Sequence, residues 1–101
     1  MRKLNIGLLG AGNMGRTHAY ALNSMKYFYH LTDFEPVLAG VCTRHIESAC
    51  RFAQEYGIGR ACDCEDELIN DPSIDIIDVS TPNVFHYDTL KKAIAAGKHI
   101  Y

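Results

Sequence analysis

The chain has 101 residues, enough for one domain and too few for a typical two-domain enzyme. Apolar residues make up 48% and charged residues 22%, a balance that excludes disorder and points to a globular fold. The formal charge is −2 with acids and bases interspersed, so neither nucleic acid nor an anionic membrane is expected as a partner.

Met1-Arg2-Lys3 ahead of a short apolar run has the outline of a signal peptide, but Gly7, Gly10, Gly12 and Gly15 break that run at once. No stretch approaches the roughly 20 apolar residues that span a bilayer, so a soluble, cytoplasmic protein is expected. Cys42 and Cys50 sit in apolar periodic segments, and Cys62 and Cys64 are one residue apart without histidines at finger-like spacing. Four reduced thiols and no metal are the expectation.

In chain order, Leu4 to Leu9 is a short apolar run stopped by glycines, the pattern of a strand buried on both faces. Met14, His18, Leu22, Met25 and Tyr29 recur at helical spacing and predict a helix over 13–29. Residues 32–36 read as a loop that ends in a proline, and Val37 to Cys42 as a second strand. A helix over 45–56 follows, stopped by Gly57, which takes a left-handed conformation without penalty. Residues 60–62 fit a short strand, 65–69 a short helix, 74–79 a third clear strand, 84–96 a helix stopped by Gly97, and 98–101 the start of another strand. Alternation of this kind, with short connections, predicts parallel strands joined by right-handed crossover helices, a doubly wound α/β sheet. The aromatic cluster Tyr27-Phe28-Tyr29 reads as a helix end covering the core.

Gly10-Ala11-Gly12-Asn13-Met14-Gly15 matches G-x-G-x-x-G at the junction of the first strand and the first helix, the context in which that spacing carries weight. Gly10 permits the tight turn, Gly12 lets the backbone approach a pyrophosphate, and Gly15 lets the helix pack against the strand. Asn13 and Met14 complete the loop, and the helix N–H groups with their dipole suit phosphate oxygens. A bare glycine turn and the related loop that binds S-adenosylmethionine are the competing readings. An acid about 20 residues beyond such a loop usually binds the ribose of NAD. Counting alone points to Asp33 or Glu35, but both precede the second strand, at the wrong end of the sheet. The position after Cys42 holds Thr43 and Arg44, a neutral residue and a fixed cation with bidentate geometry. NADP, its 2′-phosphate held by these two, is thus slightly favoured over NAD. The bland alternative is a solvated arginine at a site that accepts either cofactor.

Two stretches together resemble one family. The first is Gly7 to His18; the second is Ser80-Thr81-Pro82-Asn83-Val84-Phe85-His86, followed by Ala95-Ala96-Gly97-Lys98-His99-Ile100-Tyr101. They resemble the amino-terminal domain of the glucose–fructose oxidoreductase, inositol dehydrogenase and rhizopine-catabolism (Gfo/Idh/MocA) family, over essentially the whole chain. The resemblance implies a Rossmann fold within an NAD(P)-dependent dehydrogenase or reductase of sugars, inositols or related polyols. It also implies that Thr81, Pro82 and Asn83 lie beside the nicotinamide ribose and that His86 lines the same side of the cleft. Asn83 could equally cap a helix start. His18, on the apolar side of its helix, is expected to be packed and hydrogen-bonded, not a catalytic base. The family pattern continues with C-E-K-P, whose lysine takes part in proton transfer, and with a substrate domain that mediates oligomerisation. The expectation is therefore a dinucleotide-binding domain over 1–101, truncated near its fifth strand. It would belong to an intact homo-oligomer, bind cofactor without turnover and contain no assigned catalytic residue. A non-catalytic nucleotide sensor and an NAD-dependent glycosidase remain as alternatives.

Overall fold

The computed structural model describes residues 2–28, 34–81 and 86–101. Among the described residues nine elements alternate: β1 (Arg2–Leu9), α1 (Asn13–Phe28), β2 (Phe34–Cys42), α2 (Ile46–Tyr56), β3 (Ala61–Cys62), α3 (Glu65–Ile69), β4 (Ile76–Val79), α4 (His86–Ala95) and β5 (His99–Ile100). All strand pairs are parallel and the sheet order is β3-β2-β1-β4-β5, with β1 at the centre. This is the doubly wound Rossmann-like sheet that the alternation predicts. Chain order reverses at β1, between β2 on one side and β4 on the other, and that places a crevice at the carboxyl ends of these strands.

Neighbouring residues on β1 serve opposite faces, as strand geometry requires. Ile6 and Leu8 join Leu38, Val41, Phe52 and Ala53 in the layer beneath α1 and α2. Leu9 joins Ile77, Leu68, Ile69 and Ala93 in the layer beneath α3 and α4. Leu8, Leu68 and Ile77 are wholly buried. Gly40 lets α3 come close: a Cβ there would lie 2.6 Å from Leu68 Cδ2.

Several boundaries differ from the sequence reading: β1 begins two residues earlier, at Arg2, and β5 spans only His99–Ile100. β2 begins at Phe34 and includes Pro36, which the sequence placed in a loop. β3 pairs only with Val41 and Cys42, so at Pro36 the strand has an open edge where no ladder donor is needed. β4 begins at Ile76, because Ile74 caps the preceding turn through its N–H to the Asp71 carbonyl and packs its side chain in the lower layer. The start of the last helix and part of the Tyr27–Tyr29 cluster lie outside the described residues. Gly57 ends α2 with φ 70°, and its N–H reaches the Ala53 carbonyl. Among the described residues no helix is long and apolar enough to cross a membrane.

Candidate functional site: a cleft at the carboxyl ends of the strands

An open cleft of about 1070 Å³ lies over the carboxyl ends of β1 to β4. Its walls bring together four segments distant in sequence: Gly10, Gly12 and Met14; Thr43 and Arg44; Asp63 and Glu65; and Ser80 and Thr81, with Thr89 and Lys92 of α4 alongside.

The loop after β1 is shaped by its glycines. Gly10 has φ +100°, a region that L side chains rarely adopt, and a Cβ there would lie 2.8 Å from the Ser80 carbonyl oxygen. Its N–H donates to the Cys42 carbonyl at 2.9 Å, which fixes the loop to the end of β2. Gly15 is packed beneath: a Cβ there would sit 2.4 Å from the Gly10 carbonyl oxygen. A Cβ on Gly12 would meet nothing within 4 Å, so this backbone is open to a ligand. Asn13 begins α1, whose first turn carries no acid, and its first N–H groups have no partner within the helix. The positive end of the helix dipole therefore faces the cleft without a carboxylate from its own first turn to offset it.

After β2, the Thr43 hydroxyl donates to the His45 carbonyl at 2.6 Å and lies 3.0 Å from Ser48 Oγ, whose hydroxyl donates to the same carbonyl. Thr43 thus braces the turn that presents Arg44 to the cleft. Glu35, by contrast, pairs with Lys3 at the amino end of β2, across the sheet's length from the cleft. Asp33 lies outside the described residues.

On the opposite wall, Glu65 accepts from the buried Thr89 hydroxyl at 3.0 Å and from Lys92 Nζ at 3.2 Å, and so ties α3 to α4. Hydrogen bonds from Lys92 to Glu65 and Asp66 hold its ammonium pKa above the ordinary lysine value. At the end of β4, Thr81 Oγ1 is shut off from solvent and has no hydrogen-bond partner among the described residues. His86, half-buried at the start of α4, donates its Nε2–H to the Thr81 carbonyl and so braces the end of β4. The sequence reading placed that ring on the cleft side. Pro82 and Asn83 lie outside the described residues.

The sequence reading missed a cluster beneath the cleft. Asp78 is 1% exposed, and His18 Nδ1 lies 2.8 and 2.9 Å from its two carboxylate oxygens. Ser80 Oγ donates to Asp78 Oδ1 at 3.2 Å and lies 3.2 Å from the same imidazole nitrogen. The available signal was an acid between Ile77 and Val79, since a buried carboxylate needs a partner.

An open glycine loop at a helix N-terminus, set close beside the end of β4, fits the pyrophosphate of a dinucleotide. Comparison with known proteins identifies the family. The family model described as "Oxidoreductase family, NAD-binding Rossmann fold" matches residues 4–101. Levoglucosan dehydrogenase of Pseudarthrobacter phenanthrenivorans is 34% identical over 100 residues, which cover 99% of this chain and 26% of that protein. D-glucoside 3-dehydrogenase of Escherichia coli is 29% identical over 98 residues, 96% of this chain and 26% of the relative. A solved levoglucosan dehydrogenase in complex with NADH and L-sorbose superposes with a TM-score of 0.94 at 34% identity, over 99% of this chain and 27% of its own. The chain thus spans about a quarter of the length of these relatives.

Proposed function

Because the chain belongs to the Gfo/Idh/MocA oxidoreductase family, we propose that its cleft holds a nicotinamide dinucleotide for the oxidation or reduction of a sugar, inositol or related polyol. The observation that carries this reading is the glycine loop, with Gly12 open beside the first N–H groups of α1, which have no partner within the helix. When bound, the nicotinamide supplies hydride donor or acceptor chemistry at its C4, and the protein supplies binding and orientation.

In this reading the backbone of Gly10 to Gly15, with Asn13 and Met14 opening the helix, holds the pyrophosphate. Thr81, which lines the cleft at the end of β4, stands beside the nicotinamide ribose. Pro82 and Asn83 stand beside it as the family pattern implies, and His86 steadies the segment through the Thr81 carbonyl. Arg44, presented by the turn that Thr43 braces, meets the 2′-phosphate of NADP, which makes NADP the preferred cofactor. The proton-transfer group is none of these side chains, so the 101-residue chain alone binds cofactor without turning over a polyol. The intact protein is a cytoplasmic homo-oligomer.

Calorimetric titration with NADPH, NADH and S-adenosylmethionine tests both levels of the reading. Saturable NADPH binding is expected, and Arg44→Ala is expected to weaken NADPH at least tenfold (about 1.4 kcal/mol) while NADH changes less than twofold. An equal loss for both nucleotides would discard the 2′-phosphate assignment and keep the cofactor. Failure of the intact protein to bind either nucleotide would remove the cofactor reading altogether.

A further inference from the structure

We propose that His18 is a positioning residue for the dinucleotide: through Asp78 and Ser80 it locks the glycine loop of α1 against the end of β4. The assignment rests on the cofactor reading above and names a residue pair that reading leaves unused.

His18 lies one helical turn beyond Met14 and Gly15, on the α1 face that meets β4. Its Nδ1–H is shared between both oxygens of Asp78, at 2.8 and 2.9 Å. Asp78 is almost wholly buried, whereas the His18 side chain is 18% exposed. Ser80, which lines the cleft, also donates to this carboxylate. The ring of Tyr101 packs against the imidazole in a tilted arrangement, with centroids 5.1 Å apart. The carboxylate therefore joins α1, β4 and the segment after β4 at one point. At Ser80 the backbones nearly touch, since a Cβ on Gly10 would lie 2.8 Å from the Ser80 carbonyl oxygen and 3.1 Å from the Thr81 nitrogen. The loop that would hold the pyrophosphate and the Thr81 segment that would stand beside the ribose keep their spacing through this cluster. Interfaces this close pass a displacement on without absorbing it, and small misplacements of positioning groups cost large factors in binding.

The experiment measures NADH and NADPH affinity of the intact protein by titration for wild type, His18→Leu, His18→Asn and the double variant His18→Leu/Asp78→Asn, with circular dichroism reporting the folded state. Leucine removes the donor. Asparagine returns an N–H close to the place of imidazole Nδ1. The double variant removes the pair without leaving a buried unpaired charge, so it serves if His18→Leu fails to fold. Binding of both nucleotides is expected to weaken at least tenfold in folded His18→Leu and in the double variant, and to return to within threefold of wild type in His18→Asn. Wild-type affinity in either leucine variant would overturn the proposal, as would an asparagine variant as weak as the leucine one. A wild type that binds neither nucleotide would overturn the cofactor reading and this assignment with it, an outcome distinct from the variant results.

Discussion

Gly15 and Gly40 have the same side chain and should answer a methyl group differently. At Gly15 the added Cβ would lie 2.4 Å from the carbonyl oxygen of Gly10, part of a backbone turn fixed at both ends. At Gly40 it would lie 2.6 Å from Leu68 Cδ2, the far end of a flexible side chain that can change rotamer. Gly15→Ala is therefore expected to lower NADH affinity at least tenfold. Gly40→Ala should leave affinity within twofold and destabilise by about 1–3 kcal/mol through overpacking. Titration beside thermal unfolding separates the two effects, and equal affinities for both variants would refute the argument. The loop glycines were legible because their spacing has a known backbone purpose between a strand and a helix. Gly40 was not, since a glycine within a strand does not say which side chain approaches it. His18 was legible on its own as a packed, hydrogen-bonded histidine, but 60 residues of chain separate it from its partner Asp78. Only the fold pairs them.

The pattern of the sequence located each of the nine elements seen among the described residues, and its errors fell where local pattern and tertiary position disagree. Pro36 argues for a loop in any window, yet the strand runs through it because its neighbour on that side is only two residues long. That short edge has its own consequence. Cys42 and Cys62 are register partners across β2 and β3, both buried, whereas Cys50 and Cys64 are exposed. Burial pushes the Cys42 and Cys62 thiols above the ordinary thiol range. Alkylation at about pH 8 should thus modify Cys50 and Cys64 quickly, and the buried pair only as the edge opens. Mass spectrometry of the intact chain is expected to stop first at two adducts. Four adducts forming at one rate would mean that β2 and β3 are not paired. The linkage has a sign as well. The unfolded chain loses these two protons near pH 8.5 while the folded chain keeps them, so their contribution lowers stability as pH rises through and above that value.

At the scale of the molecule, one five-stranded sheet carries two apolar layers, and the cleft takes walls from both. The glycine loop and the Arg44 turn stand over the layer of Leu8 and Phe52, whereas Glu65, Thr89 and Lys92 stand over the layer of Leu68 and Ala93. Since β1 gives Leu8 to one layer and Leu9 to the other, neither layer can be lost without opening the central strand. Leu8→Ala and Leu68→Ala each remove a fully buried side chain and should each cost about 2–5 kcal/mol. That is a large share of the roughly 5–15 kcal/mol expected for a native domain. Both variants are expected to unfold in urea through a single transition, at a lower midpoint with the slope retained, whether followed by backbone or by aromatic signals. Two transitions in Leu68→Ala, with the layer of Leu8 surviving the first, would mean that the helices over β4 and β5 fold separately. The cleft would then be a junction between two independent units, and cofactor affinity in that variant would fall at urea concentrations where the first layer is still intact. With one cooperative unit, affinity follows the folded fraction alone, because the sheet that buries both layers is also what holds the cleft walls at their spacing.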